Sequence, residues 1–352
     1  MDIGMGGVKV VEFRSDRRRA RLSTYGVADI VVSANADVHG AGANIADPER
    51  TAALLRDVCS RAKVETTRAV ASLPIADVFS SVITLPMLPE KDLPAAVSWE
   101  AKKLVPLPIE EMVIDWKVLP PSVEPMGASS PSANEKTRRV LLTGAPKTVV
   151  ERYVDVFRRA GLNLVSLETE AFALIRSLVG DDLSAVLILD IGAARTSLIV
   201  VDHGTPVFNR SIDVGGRHFT EAIARATGCA WERAEEVKLD LVTLPTANAA
   251  TAALPRLTGE ILAPVVQEVR YGLNLYHSQD PHGGRVVEKI ILAGGTALLP
   301  SLSEYLARTL ELRVFVGDPW ARVIYPIDLR PALDAIGPRF AVAVGLAMRE
   351  IT

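Results

Sequence analysis

The sequence predicts an α/β protein of two duplicated lobes facing each other across a ligand cleft. Short β-branched runs alternate with stretches whose apolar residues recur at 3-and-4 spacing, as strands alternating with amphipathic helices do. An Asp-x-Gly running into a β-branched strand occurs twice, at Asp2-Ile3-Gly4 and Asp190-Ile191-Gly192, once at the start of each half. At 352 residues, 49% of them hydrophobic, the chain is long enough for two domains and a large core.

The strands and helices follow in order. Val8–Phe13 and Ala20–Ser33 are β-rich, and Pro48–Lys63 is a helix opened by proline, with Ala52, Leu55, Val58 and Cys59 on one face. Strands at Arg68–Leu73 and Phe79–Leu85 precede a helix at Glu90–Leu104, where Pro94 sits in the first turns. Strands at Val113–Leu119 and Arg139–Thr143 flank residues 120–136, a stretch with four Pro, four Ser and no aromatic residue that reads as a mobile hairpin loop. Helix Pro146–Ala160, strand Leu164–Glu168 and helix Glu170–Leu178 close the first half. The second half opens with strands Ala185–Leu189, Ser197–Val201 and Pro206–Ile212. Helices Phe219–Thr227, Ala230–Leu239 and Pro255–Ser278 follow, then strand Val286–Leu292, helix Ser301–Thr309 and strand Arg313–Val316. A last helix lies near Arg339–Glu350, and Ser301 with Glu304 has capping-box spacing.

Composition narrows the class. The 39 basic and 42 acidic residues leave a net charge of −3, so no global field draws the chain onto nucleic acid or anionic lipid. Two cysteines, Cys59 and Cys229, cannot build a disulfide framework, which favours a reducing compartment. No apolar run is expected to approach the roughly 18 residues of a membrane helix. The N-terminal basic residues follow the apolar stretch, the reverse of a secretion signal. These observations favour a cytoplasmic protein. The basic run Arg14–Arg21 falls at a predicted hairpin turn without aromatic neighbours, and reads as a solvated turn before it reads as contact with an anionic membrane.

A nucleotide phosphate tail with Mg²⁺ needs backbone N–H groups in tight glycine turns, a carboxylate or two around the metal's waters, and a lysine on the phosphates. Asp2, Gly4, Gly6 and Lys9 supply all three from one hairpin. The turn between Gly4 and Gly7 brings Asp2 and Lys9 to one side. Asp190 and Gly192 with Arg195, Thr196 and Ser197 form a second claw opposite, so Asp2 and Asp190 face each other across one metal. Ile290–Thr296 is an apolar strand ending in Gly294-Gly295-Thr296, where flat ligand surface can approach the backbone. Glu235 and Lys238 share a helix face, and the Gly215-Gly216 pair precedes another helix. Singly, each of these is also an ordinary turn or a solvated ion pair.

Together and in this chain order they resemble the actin-like ATPase superfamily, and within it the PilM family of type IV pilus assembly proteins, relatives of the division protein FtsA. The stretches that carry the resemblance include residues 189–224, AEEVKLDL, ILAGGTALLPSL and residues 90–119. The resemblance implies an α/β actin-like ATPase fold of two duplicated lobes around a nucleotide cleft, with a small inserted domain of the FtsA/PilM type. The division expected is 1–74 and 164–182 for the first lobe, 75–163 for the insertion, 183–338 for the second lobe, and 339–352 for a hinge helix packed on the first. It implies ATP and Mg²⁺ as cofactors, Asp2 and Asp190 near the metal, and Glu170 orienting the attacking water. Gly294, Gly295 and Thr296 fall on the adenosine segment, with Glu235 and Lys238 beside base or ribose.

Two departures stand out. Asp2 follows Met1 directly, where the family has an apolar strand, so a late start or a truncated chain is expected. Met5-Gly6-Gly7 also lacks the hydroxyl residue usual in this turn.

The resemblance further implies a scaffold of the inner-membrane pilus platform, peripheral to that membrane through a PilN-like partner whose N-terminal cytoplasmic peptide it binds. Other platform or motor ATPase components and a homo-oligomer belong to the same expectation, and hydrolysis is at most slow. Leu93, Trp99, Val105, Leu107 and Ile109 lie in the peptide-binding domain, with core packing as their expected role. A small-molecule kinase of the same superfamily would need an acceptor pocket with an Asp or His base, and the five histidines form no cluster. An FtsA-like filament protein would need an amphipathic C-terminal helix after a linker, and no such tether is expected here.

Overall fold

The computed structural model describes residues 1–30, 45–119, 137–243, 249–279 and 286–351. The chain begins with a three-strand meander: β1 (Asp2–Gly4), β2 (Gly7–Asp16) and β3 (Arg19–Asp29), paired antiparallel in that order. Helix α1 (Pro48–Arg61) starts at Asp47, whose carboxylate accepts the Arg50 N–H at 3.0 Å, with proline in the first turn. It leads into β4 (Arg68–Leu73).

Between β4 and the rest of the first lobe lies a small unit with its own core. Strands β5 (Phe79–Pro86), β6 (Met112–Val118) and β7 (Thr137–Pro146) form an antiparallel sheet in the order β5-β7-β6, under helix α2 (Leu93–Leu104). Ile83, Leu85, Leu93, Val97, Ala101, Val140 and Leu142 are its interior. The loop expected over 120–136 lies outside the described residues. Helix α3 (Lys147–Ala160), placed by the sequence reading inside the insertion, packs instead on α1. Its stripe of Val149, Tyr153, Val156 and Phe157 joins Leu55, Val58, Val8 and Val10 in one core. An apolar stripe at helical spacing must cover a partner, and α1 presents the matching one.

Strand β8 (Asn163–Thr169) runs parallel to β4, and α4 (Glu170–Leu174) continues into a π-helical turn at Ile175–Val179. The second lobe follows: β9 (Val186–Ile191), β10 (Thr196–Asp202), β11 (Thr205–Ile212), α5 (Gly216–Thr227), α6 (Trp231–Thr243), α7 (Ala249–Gln279), β12 (Lys289–Ala293), α8 (Leu302–Leu310) and β13 (Arg313–Val316). Its sheet has the order β11-β10-β9-β12-β13, with β9 and β13 parallel to β12. The first lobe repeats this plan as β3-β2-β1 beside β4-β8, the Met1 amine donating to the Val70 carbonyl at 2.8 Å at the seam. The duplication read from two Asp-x-Gly turns is therefore visible in whole sheets.

Two local expectations change. Ser301 makes no side-chain cap at α8, because its left-handed backbone (φ 67°) turns the hydroxyl away from the helix N–H groups. The chain also returns to the first lobe earlier than residue 339. Strand β14 (Val323–Ile324) pairs with β3, and Trp320, Leu333 and Phe340 pack on Val11.

The final helix α9 (Arg330–Met348) lies in the interior between the lobes. By length and composition Ile327–Met348 would qualify as a membrane span, which the sequence reading did not anticipate, but 61% of its apolar window is buried inside the fold. A core helix between two lobes is apolar all round for the same reason a membrane helix is.

Candidate functional site

The two glycine turns meet at the cleft. Asp2 and Lys9 are directly opposed in the β1–β2 register, so both side chains project to one face, and Lys9 Nζ lies 3.1 Å from Asp2 Oδ2. Asp190 is the last residue but one of β9, opposite Ser197 of β10. Gly192 N–H donates to the Arg195 carbonyl at 2.9 Å and closes the second turn. The tips touch: Met5 of the first turn packs on Ala193 and Ala194 of the second. The cleft behind them holds about 300 Å³.

All but two of the residues singled out from the sequence line this space. Asp2, Gly4, Gly6 and Lys9 come from the first turn, Asp190, Gly192 and Arg195 from the second, and Gly216, Glu235, Lys238, Gly294, Gly295, Thr296 and Glu170 from around them. Thr196 and Gly215 do not. The Thr196 hydroxyl is buried and donates to the Val214 carbonyl at 2.7 Å, because strand alternation turns it into the sheet. Gly215 lies beneath the second turn as the N-cap of α5, and its N–H donates to His218 Nδ1 at 3.1 Å. Arg195 pairs with Asp213 at 2.8 Å.

The second turn is tied to its neighbours through its carbonyls. Gly192 accepts from Gly216 N–H at 2.9 Å and from the Thr296 hydroxyl at 3.2 Å, and Ala193 accepts from Arg217 N–H at 2.8 Å. Gly294 takes φ 82°, where a Cβ would fall 2.3 Å from the Ile191 carbonyl oxygen, so only glycine fits the strand end against β9.

Glu235 and Lys238 are not a solvated pair. Lys238 Nζ donates to Glu235 Oε2 at 2.7 Å, Thr220 Oγ1 at 2.8 Å and the Gly216 carbonyl at 3.3 Å. Burial lowers the lysine's proton affinity. Thr220 was missed from the sequence, although it stands one helical turn after Gly216 and faces α6. Arg339 and Asp29 were also missed. They pair at the cleft wall from opposite ends of the chain, and no local pattern signals that.

Three carboxylates crowd the floor. Burial, and then the charge of Asp2, push the Asp190 carboxyl up to about 7. Burial also raises Glu170 well above the usual range, with Asp190 and Asp2 adding to it. The Ile75 N–H donates to Glu170 Oε2 at 3.1 Å and fixes that side chain. Such a set has unmet demand for positive charge, which a divalent cation with retained waters would satisfy. Among the described residues no three His, Cys, Asp or Glu side chains form a closed metal cage.

A family model described as type IV pilus assembly protein PilM matches residues 1–351. A solved PilM-PilN type IV pilus biogenesis complex aligns over 100% of this chain and 97% of its own, with TM-score 0.80 and 28% identity. Ethanolamine utilization protein EutJ from Carboxydothermus hydrogenoformans aligns over 99% of this chain and 87% of its own, with TM-score 0.54 and 16% identity, a likeness of fold. The cell division protein FtsA of Agrobacterium fabrum is 24% identical over 220 residues, 57% of this chain and 48% of FtsA. The chain thus spans about half the length of that curated relative. The fold is the actin-like α/β fold expected from the sequence.

Proposed function

The chain belongs to the family of the type IV pilus assembly protein PilM, and from that premise we propose that it is a nucleotide-binding scaffold of the pilus platform. In this reading it holds Mg²⁺-ATP between its lobes and takes the N-terminal cytoplasmic peptide of a PilN-like membrane protein in a groove by its inserted domain. It works at the cytoplasmic face of the inner membrane, held there through that partner. The observation that carries the nucleotide half is the pairing of Asp2 and Asp190 across one cleft, with Lys9 beside them and the Glu235–Lys238–Thr220 cluster at the other end.

The donor set fits the cofactor. Bound Mg²⁺ would neutralise phosphate charge, its waters held by Asp2 and Asp190. Lys9 lies where it can leave Asp2 for a phosphate oxygen, and Glu235 and Lys238 are placed for ribose or base. Glu170, whose carboxyl burial and two acidic neighbours push well above the usual carboxylate range, is held at the phosphate end of the cleft by the Ile75 N–H.

The peptide half rests on the surface of the insertion. Leu93 is buried, and Ile109 packs against the same core, as expected. Trp99 and Leu107 depart from the core role predicted for them: Trp99 is 62% exposed, and Met87, Leu104 and Leu107 are exposed as well. Lys103 Nζ sits 3.1 Å over the Trp99 ring and leaves the indole facing outward.

The test is an anisotropy titration of a labelled peptide copying the partner's cytoplasmic N-terminus, with and without Mg²⁺-ATP. Trp99→Ala is expected to weaken binding about tenfold or more, as exposed aromatic anchors do, with the thermal midpoint nearly unchanged. Equal affinity for both proteins would place the peptide elsewhere and overturn this half of the reading.

A further inference from the structure

The β2–β3 hairpin turns through Arg17 and Arg18, both with positive φ (51° and 65°). Two-residue hairpin turns of this kind are ordinarily made by Asn-Gly, because long side chains disfavour that conformation. Here arginine occupies both places, and Arg19 follows. All three are exposed, and none has a carboxylate partner among the described residues. The flanking arginines differ. Arg14 and Arg21 oppose each other across the strands, and each is neutralised, by Glu65 and Asp16 respectively. Charge is therefore balanced on the strands and left unbalanced only at the tip.

We propose that this tip is a docking prong for an anionic bilayer surface, a second attachment separate from the peptide partner. The shape selects the occupant. The tip is a hairpin turn whose successive exposed side chains, Arg17, Arg18 and Arg19, are all guanidinium groups. A planar array of lipid phosphates presents the matching surface. With a net charge of −3 the chain has no general attraction for such a surface, so the contact is local. β2 is ten residues long, which puts the prong about 30 Å from the Gly4–Gly7 turn, and binding there leaves the nucleotide cleft untouched.

The experiment is co-sedimentation of the whole chain with phosphatidylcholine vesicles, with and without phosphatidylglycerol, at low and high salt. The wild type is expected to bind only the phosphatidylglycerol vesicles and to come off as salt rises. Arg17→Asn/Arg18→Gly is expected to partition about thirtyfold less, at roughly a factor of five or six for each arginine removed. That pair suits the turn, so the variant's thermal midpoint should equal or exceed the wild type's, and lost binding cannot be read as lost fold. Equal partition of the variant, or no wild-type binding to phosphatidylglycerol vesicles, would overturn the proposal. So would a wild type that ignores vesicles but is retained through the same arginines by soluble polyglutamate, since the partner would then be an acidic protein.

Discussion

Asp190→Asn is expected to stabilise the ligand-free protein above neutral pH and to abolish its metal-dependent ATP binding. Both effects come from one carboxyl group. Burial and the charge of Asp2 raise its pKa from 3.8 to about 7. Between those values the folded protein holds a proton that the unfolded chain has released, so stability falls as pH rises through the window and stays low above it. The shift corresponds to about 4 kcal/mol at the alkaline side. Asparagine carries no charge to bury, and urea melts of the variant should lose this slope and lie above the wild type at alkaline pH. Calorimetric titration with Mg²⁺-ATP should show saturable, metal-dependent binding to the wild type, weakening up to about tenfold per pH unit below 7 as the proton competes with the cation. The variant should show no metal-dependent component. A variant that binds Mg²⁺-ATP as the wild type does would remove Asp190 from the site. A wild-type stability that rises with pH across the window would instead contradict the buried, repelled carboxylate.

Gly345→Ala is expected to destabilise the protein by about 3 kcal/mol or more, although alanine is the better helix former. A Cβ at this position would fall 1.8 Å from the carbonyl oxygen of Ala173 and 2.5 Å from its carbon, so the backbones of α9 and α4 would have to separate. The Arg176 guanidinium also bonds the Gly345 carbonyl at 2.6 Å and Glu168 at 2.8 Å, tying the crossing to β8. Glu170 opens α4, and displacement of that helix should carry its carboxyl away from the Ile75 N–H. The thermal midpoint should drop by several degrees, and ATP affinity should drop with it. Gly259→Ala is the control. In α7 its Cβ would meet Tyr305 at 3.5 Å, an ordinary contact, so the same substitution should stabilise by about 0.5–1 kcal/mol. A Gly345→Ala protein as stable as the wild type would mean the two helices can slide apart freely.

Much of the site was legible because turn chemistry is local. Asp2-x-Gly4 and Asp190-x-Gly192 each state a carboxylate at a strand end and a turn the backbone can use, and the tertiary structure sets them face to face. Glu235 and Lys238 were legible as one helix face, though not as a buried cluster, because their partner Thr220 lies on another helix. Thr196 shows the opposite case. It is one residue after Arg195 in a plausible claw, yet strand alternation sends its hydroxyl inward.

The sequence by itself determined most of the strands and helices, the repeat and the glycine turns, because periodicity and turn preference act over a few residues. Only the tertiary structure decided that α3 packs with α1, that Arg339 reaches Asp29, that Met5 closes on Ala193, and that α9 passes within a Cβ of α4. These depend on which surfaces are left to cover once the local elements exist. The burial that follows sets the proton affinities of Asp190 and Glu170, which no stretch of sequence around either residue encodes.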